Sequence, residues 1–379
     1  MIFLKYVIIQ NPDSVEWNNA LKKSSYSTFF QTFENLQPVG NKSPIFVQIL
    51  DNEKIVGQLG MLITTKKSGA SGTFFGKFVE FGSKMGNRAS WVSGPILHSE
   101  DKPYRIKILT TIMDALNQII LDYNISIIDG YSPPQDFLID DSYKKIFEQN
   151  GFIIENFVTL QTTLNQDIEI LWNNLKKNAR NDVNKARREN IVIREISSKK
   201  DLLAYKQLIK DWAITKGVKS NDSKIDLKRD LTLLDSKIQK LFAAYDDGKI
   251  IAGLRIGCFN QIVYTHQVLN SYSKSGNVAG SLLSWSAIEW AKNANMKIYD
   301  FSGGESLPKN PKKLKEYEEK WESLFAYKRK WGGYEVPYYH FVKIINKTSY
   351  KFFKLLSKPD YFVRNYRKNH FKRYRGNSK

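Results

Sequence analysis

DNEKIVGQL (51–59) and DDGKIIAGL (246–254) carry the same Asp-x-x-Lys-Ile core in an apolar surround, and the segments after them are also alike. Both are hairpin signals, a turn rich in Asp, Asn or Gly set between two runs of strand formers. Each leads through a helix-like stretch to a strand ending on aspartate, ISIIDGYS (125–132) in one half and MKIYDFSG (296–303) in the other. Identity is low but the order is kept, which reads as an internal duplication of an α/β unit. A chain of 379 residues suits two such domains.

The remaining segments keep the same alternation. MIFLKYVIIQ predicts a first strand, because Lys5 interrupts the apolar run and there is no small-residue cleavage site after it. YRIKILTTIMDALNQIILDYN (104–124) sets Ile108, Ile112, Leu116 and Ile119 at helical spacing. NGFIIENFVTLQTTL (150–164) reads as two short strands. In the second half, ILWNNLKKNARNDVNKARREN (170–190) reads as one helix, and DLLAYKQLIKDWAITKG (201–217) as another that Gly217 can end. KLFAAYDDGKIIAGLRIGCFNQIVYTHQVL (240–269) predicts a three-stranded meander, and AGSLLSWSAIEWAKNAN (279–295) a helix. LFAYKRKWGG (324–333) starts like a half-buried strand, with Gly332-Gly333 as its turn.

Composition narrows the function classes. Cys258 is the only cysteine, so a disulfide framework and a Cys-based zinc site are excluded; a reducing cytoplasm fits, and other compartments fit equally. The histidines are His98, His266, His340 and His370, no two of them at i, i+4, and no metal is expected. No nucleophile elbow, Walker loop or dinucleotide-binding glycine pattern occurs. No run of 18 apolar residues predicts a membrane span. The net charge of +20 is concentrated at the end, where residues 343–379 hold 12 Lys/Arg against Asp360 alone. That balance implies a polyanionic partner: RNA, a phosphorylated substrate or an anionic membrane surface. KFFKLLSKPDYFVRNYRKNHFKRYR interleaves aromatics with cations, which suits RNA bases and an anionic bilayer equally.

Three places can carry chemistry. Along 170–190, Leu171, Leu175, Ala179, Val183 and Ala186 form one stripe, while Lys176, Lys177, Arg180, Arg187 and Arg188 lie on the far arc. That arc is either a solvated face or a phosphate-contacting one. DFSGGE (300–305) ends a strand, so Asp300, Ser302 and Gly303 sit where open α/β sheets bind ligands. VYTHQV places His266 on the face of Tyr264, as a packed histidine or a substrate contact.

In order along the chain, LWNNLKKNARNDVNKARREN, LFAAYDDGKIIAGL, YDFSGGE and FAYKRKWGG resemble the motifs of the Fem-type (FemABX) aminoacyltransferases. SWVSGPIL, IDGYSPP and NGFIIENFVTLQTTL stand where the first domain of that family has its strands. The resemblance covers roughly residues 1–345. It implies an α/β (α+β) fold of two tandem GNAT-like domains, each a mixed, mostly antiparallel sheet flanked by helices. The expected division is 1–165, then 166–342 carrying the transfer site, then a basic tail, 343–379.

The resemblance further implies transfer of an aminoacyl group from charged tRNA to an amine of a cell-envelope precursor, with no cofactor beyond the donor. A lysine at the position of Lys328 would face the oxyanion built by amine attack on an ester. Arg329 and Lys330 would be peripheral. Asp300, Ser302, Gly303, Tyr264 and His266 would line the substrate site, with Lys216 and Lys219 as the nearest substitutes for a substrate-binding loop. The cations of 170–190 would meet the tRNA. Localisation would be cytoplasmic, with the tail peripheral at the inner membrane face. Departures are specific. No heptad run inserts a long helical hairpin between 196 and 240. SKSGNVAGSLL, with Gly276 and Gly280, lacks the full pyrophosphate loop of acetyl-CoA enzymes. Two rivals stand: CoA-dependent N-acylation of an amino sugar for a surface polysaccharide, and a non-catalytic RNA- or membrane-binding GNAT-fold protein.

Overall fold

The computed structural model describes residues 3–65, 86–134, 141–216, 224–271, 274–303 and 325–348. Two compact units divide the described residues, the first built from those up to Val158 together with those from Val336 to residue 348, the second from Thr159 to Glu335.

In the first unit β1 (Lys5–Ile9) pairs antiparallel with β2 (Lys42–Asp51), and β2 with β3 (Lys54–Thr64) through the Asn52-Glu53 turn. Between β1 and β2 in sequence lies α1 (Ser14–Leu21). Asp13 caps it by accepting from Val15 N and Glu16 N at 2.9 and 2.8 Å, which satisfies donors the first turn leaves open. β4 (Asn87–Trp91) pairs with β3, and the two-residue β5 (Ile96–Leu97) pairs with β3 as well. α2 (Lys102–Asp122) starts on Asp101, whose carboxylate accepts from Tyr104 N at 2.8 Å. Its predicted stripe, Ile108, Ile112, Leu116 and Ile119, is buried against β2, β3 and β6 (Ile125–Tyr131). Each such side chain contributes on the order of 1.5–3 kcal/mol through burial. α3 (Asp141–Gln149) adds Ile146 and Phe147 to this core.

β7 (Ile153–Thr163) is one strand where the sequence suggests two, and it crosses from the first unit into the second. Nothing in FIIENFVTLQTTL breaks the extended run, because the asparagine and glutamine lie on strand faces and not at turns.

The second unit opens with a break that periodicity does not show. Residues 170–190 form α4 (Ile168–Asn174) and α5 (Lys177–Arg188), separated by Leu175 and Lys176 in extended geometry. The apolar stripe stays in phase across the gap, so Leu171, Leu175, Ala179, Val183 and Ala186 all reach the core. β8 (Val192–Glu195) is the edge strand, and after it come α6 (Lys199–Lys216) and a helix not anticipated from the sequence, α7 (Lys224–Asp235). β9 (Gln239–Asp246), β10 (Lys249–Phe259) and β11 (Ile262–Asn270) form the expected meander. α8 (Lys274–Asn293) leads to β12 (Ile298–Gly303), which runs parallel to β11 and antiparallel to β7. Leu254, Ile256, Val263, Tyr299 and Phe301 meet α5 and α8 on one face, while Tyr205, Leu208, Leu241 and Leu269 pack on the other. β13 (Tyr334–Ile344) then re-enters the first unit and pairs antiparallel with β6.

The duplication is therefore structural. Each unit has a hairpin, then a helix, then an aspartate-bearing strand parallel to an earlier one: β6 beside β4, β12 beside β11. Among the described residues no helix is long and apolar enough to cross a membrane.

Candidate active site

β12 and β11 are in register only over Ile298–Asp300 and Ile262–Tyr264, although both strands run on. Two irregularities mark the place where pairing stops. On β11, Tyr264 opposes Gly257 and Thr265 opposes Ile256, but Arg255 opposes Gln267, so His266 is the extra residue of a bulge. On β12 the register to β7 shifts between Asp300 and Gly303, and Ser302 there adopts φ +60°. Irregular backbone at the end of paired parallel strands opens a sheet to a ligand.

Asp300 lies at this point, 1% exposed. Its neighbours in sequence, Tyr299 and Phe301, face the α5–α8 core, which turns the carboxylate to the other side of the sheet. There Thr159 Oγ1 donates to Oδ1 at 2.5 Å, Gln161 Nε2 to Oδ2 at 2.9 Å, and Ser302 N to Oδ1 at 2.7 Å. Burial pushes the Asp300 carboxyl up to about 6, against the opposing pull of those donors and of Lys328.

Lys328 stands on a helical turn over residues 325–329, not on a strand. The i, i+2 spacing of Phe325 and Tyr327 suggests alternation, but the contact that decides is i, i+4: Tyr327 and Trp331 meet edge-to-face at 6.1 Å. Gly332 ends the turn at φ +79°, which a side chain would disfavour, and a Cβ there would stand 3.1 Å from Asn174 O. Lys328 is 9% exposed, and its Nζ donates to Ser302 O at 2.6 Å. Burial brings its ammonium down to about 8, with Asp300 pulling the other way. A buried acid and a buried base thus share one strand end, each shifted toward neutrality.

The other two cations part company. Arg329 pairs with Glu335 at 2.6 Å on the half-exposed side. Lys330 is buried, with Nζ 3.1 Å from Asp182 Oδ2 and 3.0 Å from Ser281 Oγ, so the expectation of a peripheral Lys330 is corrected. The rings of Tyr327 and Trp331 lie against its ammonium.

Tyr264 is half-buried and paired with Asp300 in register; His266 is exposed on the bulge. Gly303 ends β12 opposite Thr159. Lys216 closes α6, its side chain outside the described residues, and Lys219 lies outside them altogether. Lys176, Lys177 and Arg188 are exposed. Arg187 reaches Glu289 at 3.4 Å and lies over the Trp172 ring. Arg180 turns back onto the end of α4, donating to Asn173 O and Leu175 O at 2.8 and 2.6 Å, and so caps carbonyls the helix break leaves open. Among the described residues no group of His, Cys, Asp or Glu is arranged to hold a metal ion.

Sequence reasoning missed Thr159 and Gln161, which hold Asp300, and the buried Arg255–Asp230–Lys206 group, where Asp230 meets Arg255 at 2.6 Å and Lys206 at 3.1 Å. The first had a signal: VTLQTTL puts Thr159 and Gln161 on one face of an otherwise buried strand, where polar groups need partners. The second had none, since its members come from three separate elements.

Residues 173–329 match the model of the acetyltransferase (GNAT) domain family. No curated protein sequence matches the chain. Among solved structures, FemX is similar with a TM-score of 0.69 at 12% identity, over 91% of this chain and 99% of that one. A tandem GNAT protein from the clavulanic acid biosynthesis pathway gives 0.55 at 10% identity, over 91% and 99%. L-PGS from Bacillus licheniformis gives 0.53 at 12%, over 92% and 96%. The fold expected from the sequence resemblance, tandem GNAT-like units in the FemX arrangement of elements, is present.

Proposed function

We propose that this chain is an acyltransferase that forms an amide on an amine acceptor, with Lys328 at the transfer centre. The observation that carries the reading is the buried Lys328 ammonium held on Ser302 O beside Asp300, where β11 and β12 cease to pair. In the reaction the acceptor nitrogen attacks the carbonyl carbon of an acyl ester. The C–N bond forms as the ester C–O bond breaks, and the amine proton ends on the departing oxygen. Negative charge develops on the carbonyl oxygen, and a fixed cation in a dry site stabilises it before any solvent must reorganise. An ammonium has three N–H donors, and the one held by Ser302 O sets the direction of the others.

The preferred donor is aminoacyl-tRNA, supported by the +20 charge, the exposed Lys176, Lys177 and Arg188, and the likeness to FemX. The acceptor is an amine of a cell-envelope precursor. The bond changes balance between ester and amine, so no cofactor beyond the donor enters. Acyl-CoA is the competing donor, favoured by the GNAT domain match.

Incubation of the full chain with charged tRNAs or acyl-CoAs, each with an amine-bearing envelope precursor, separates the donors by mass of the product. Transfer from charged tRNA is expected, and failure with both donor classes sinks the reading. The ionised pair Asp300–Lys328 exists above the carboxyl's value and below the ammonium's. Turnover is therefore expected to peak between about pH 6 and 8.

A further inference from the structure

Lys330 is the more buried of the two lysines on the turn, 6% exposed against 9% for Lys328. Its ammonium joins Asp182 of α5 to Ser281 of α8 and lies 4.5 and 5.1 Å from the ring centroids of Tyr327 and Trp331. Its carbonyl accepts from Lys176 N at 2.9 Å, at the break between α4 and α5. Asp182 also accepts from Ser281 Oγ at 3.2 Å, so the three side chains close on one another.

Stability alone gives a weak reason for this arrangement. Taking an ammonium out of water is costly, and an apolar side chain between Tyr327 and Trp331 would pack without that penalty. Position gives a stronger one. Residues 325–329 make little more than one helical turn, too short to stand without tertiary anchors. Lys330 N donates to Ala326 O at 3.2 Å, which carries the helical path one residue past the turn. Side chains two residues apart on that path project roughly 200° apart, so fixing Lys330 toward α5 and α8 sends Lys328 the opposite way. Lys328 does point that way, onto Ser302 O of β12.

We propose that Lys330 is a positioning residue: locked on Asp182 and Ser281, it holds the turn so that the Lys328 ammonium stays against Ser302 O and out of water. Its consequence for rate rests on the acyl-transfer reading, but its geometry does not. The test therefore reads Lys328 directly. Trace acetylation of the full chain with acetic anhydride across pH, with mass spectrometry of the Lys328 peptide, gives the midpoint at which that amine becomes reactive. Among the described residues Asp300 is the charged group that acts on it, and it is the same in every variant.

In Lys330→Met and in Asp182→Asn the midpoint is expected to rise by a unit or more from about 8, lowering labelling at pH 8 by about fivefold or more. An unmoved midpoint in both overturns the proposal even if the melting temperature falls, because a purely structural role predicts that pattern. Asp182→Asn alters one half-exposed side chain and decides the matter if Lys330→Met does not fold. If no acyl transfer is ever detected, the labelling result still stands or falls alone.

Discussion

Asp129 lies near the end of β6 and Asp300 near the end of β12, each on a strand parallel to an earlier one, yet their surroundings differ in kind. Asp129 takes a two-pronged ion pair from Arg88, Nε and Nη2 each at 2.7 Å, and His340 Nε2 stands 3.7 Å away. Burial alone would raise its carboxyl, but His340 and the Arg88 guanidinium override that and hold it below the usual range. Asp300 has neutral donors and one buried lysine, and is raised. The strands differ as well. β4 pairs with β6 along its whole length, and Trp91 lies over Gly130, where an added Cβ would stand 1.9 Å from the indole. In the second unit pairing stops after three residues. A saturated carboxylate under a closed strand pair serves the fold; a poised one at an open pair can serve chemistry. The position occurs twice, and the two carboxyls are shifted in opposite directions.

The largest expected effect tests that asymmetry at the cations. Lys328→Met should lower turnover by about 10²–10³-fold, the usual loss for one oxyanion donor. Arg88→Met should leave turnover nearly unchanged but cost roughly 1–3 kcal/mol, because Asp129 loses its main partner while 8% exposed. Turnover together with chemical denaturation of both variants checks it, and equal losses of activity would erase the distinction.

A smaller effect tests the closed strand pair. Gly130→Ala forces the Trp91 ring aside and should cost about 1–3 kcal/mol, read as a lower denaturation midpoint. A neutral outcome would mean that β4 and β6 are less tightly closed than their register indicates.

The finest test is the sign of the pH dependence. Asp129 has a depressed value, so its contribution is present above the unfolded value of 3.8 and is lost as pH falls. Asp300 has a raised value, so the wild type loses stability as pH rises from 3.8 through about 6. Relative to wild type, the Asp129→Asn deficit should therefore be full above 3.8 and fade as pH falls below it. The Asp300→Asn difference should instead move in the mutant's favour as pH rises from 3.8 to about 6. Denaturation midpoints measured from strongly acid to neutral pH should place the two changes in these separate windows.

Much of this frame is legible along the chain. The paired hairpins, the stripe of α2 and the aspartate-bearing strands depend on local turn chemistry and periodicity, which short segments carry. The order of motifs also singled out Lys328, which the structure buries against Ser302 O. The α4–α5 break was not, because Leu171, Leu175 and Ala179 keep helical spacing across it, and the bonds that satisfy it come from Arg180 and Lys330. Nor was the place of Lys330, which in a run of three cations has no mark of its own.

By itself, the sequence determined the repeated unit and which residue types stand at its strand ends, because hydrophobic period and turn residues act over a few positions. Only the tertiary structure decided which aspartate is poised. Thr159 and Gln161 reach Asp300 across 141 and 139 residues of chain. Burial and neighbouring charge shift an ionisable group, and both are properties of what packs around it in space.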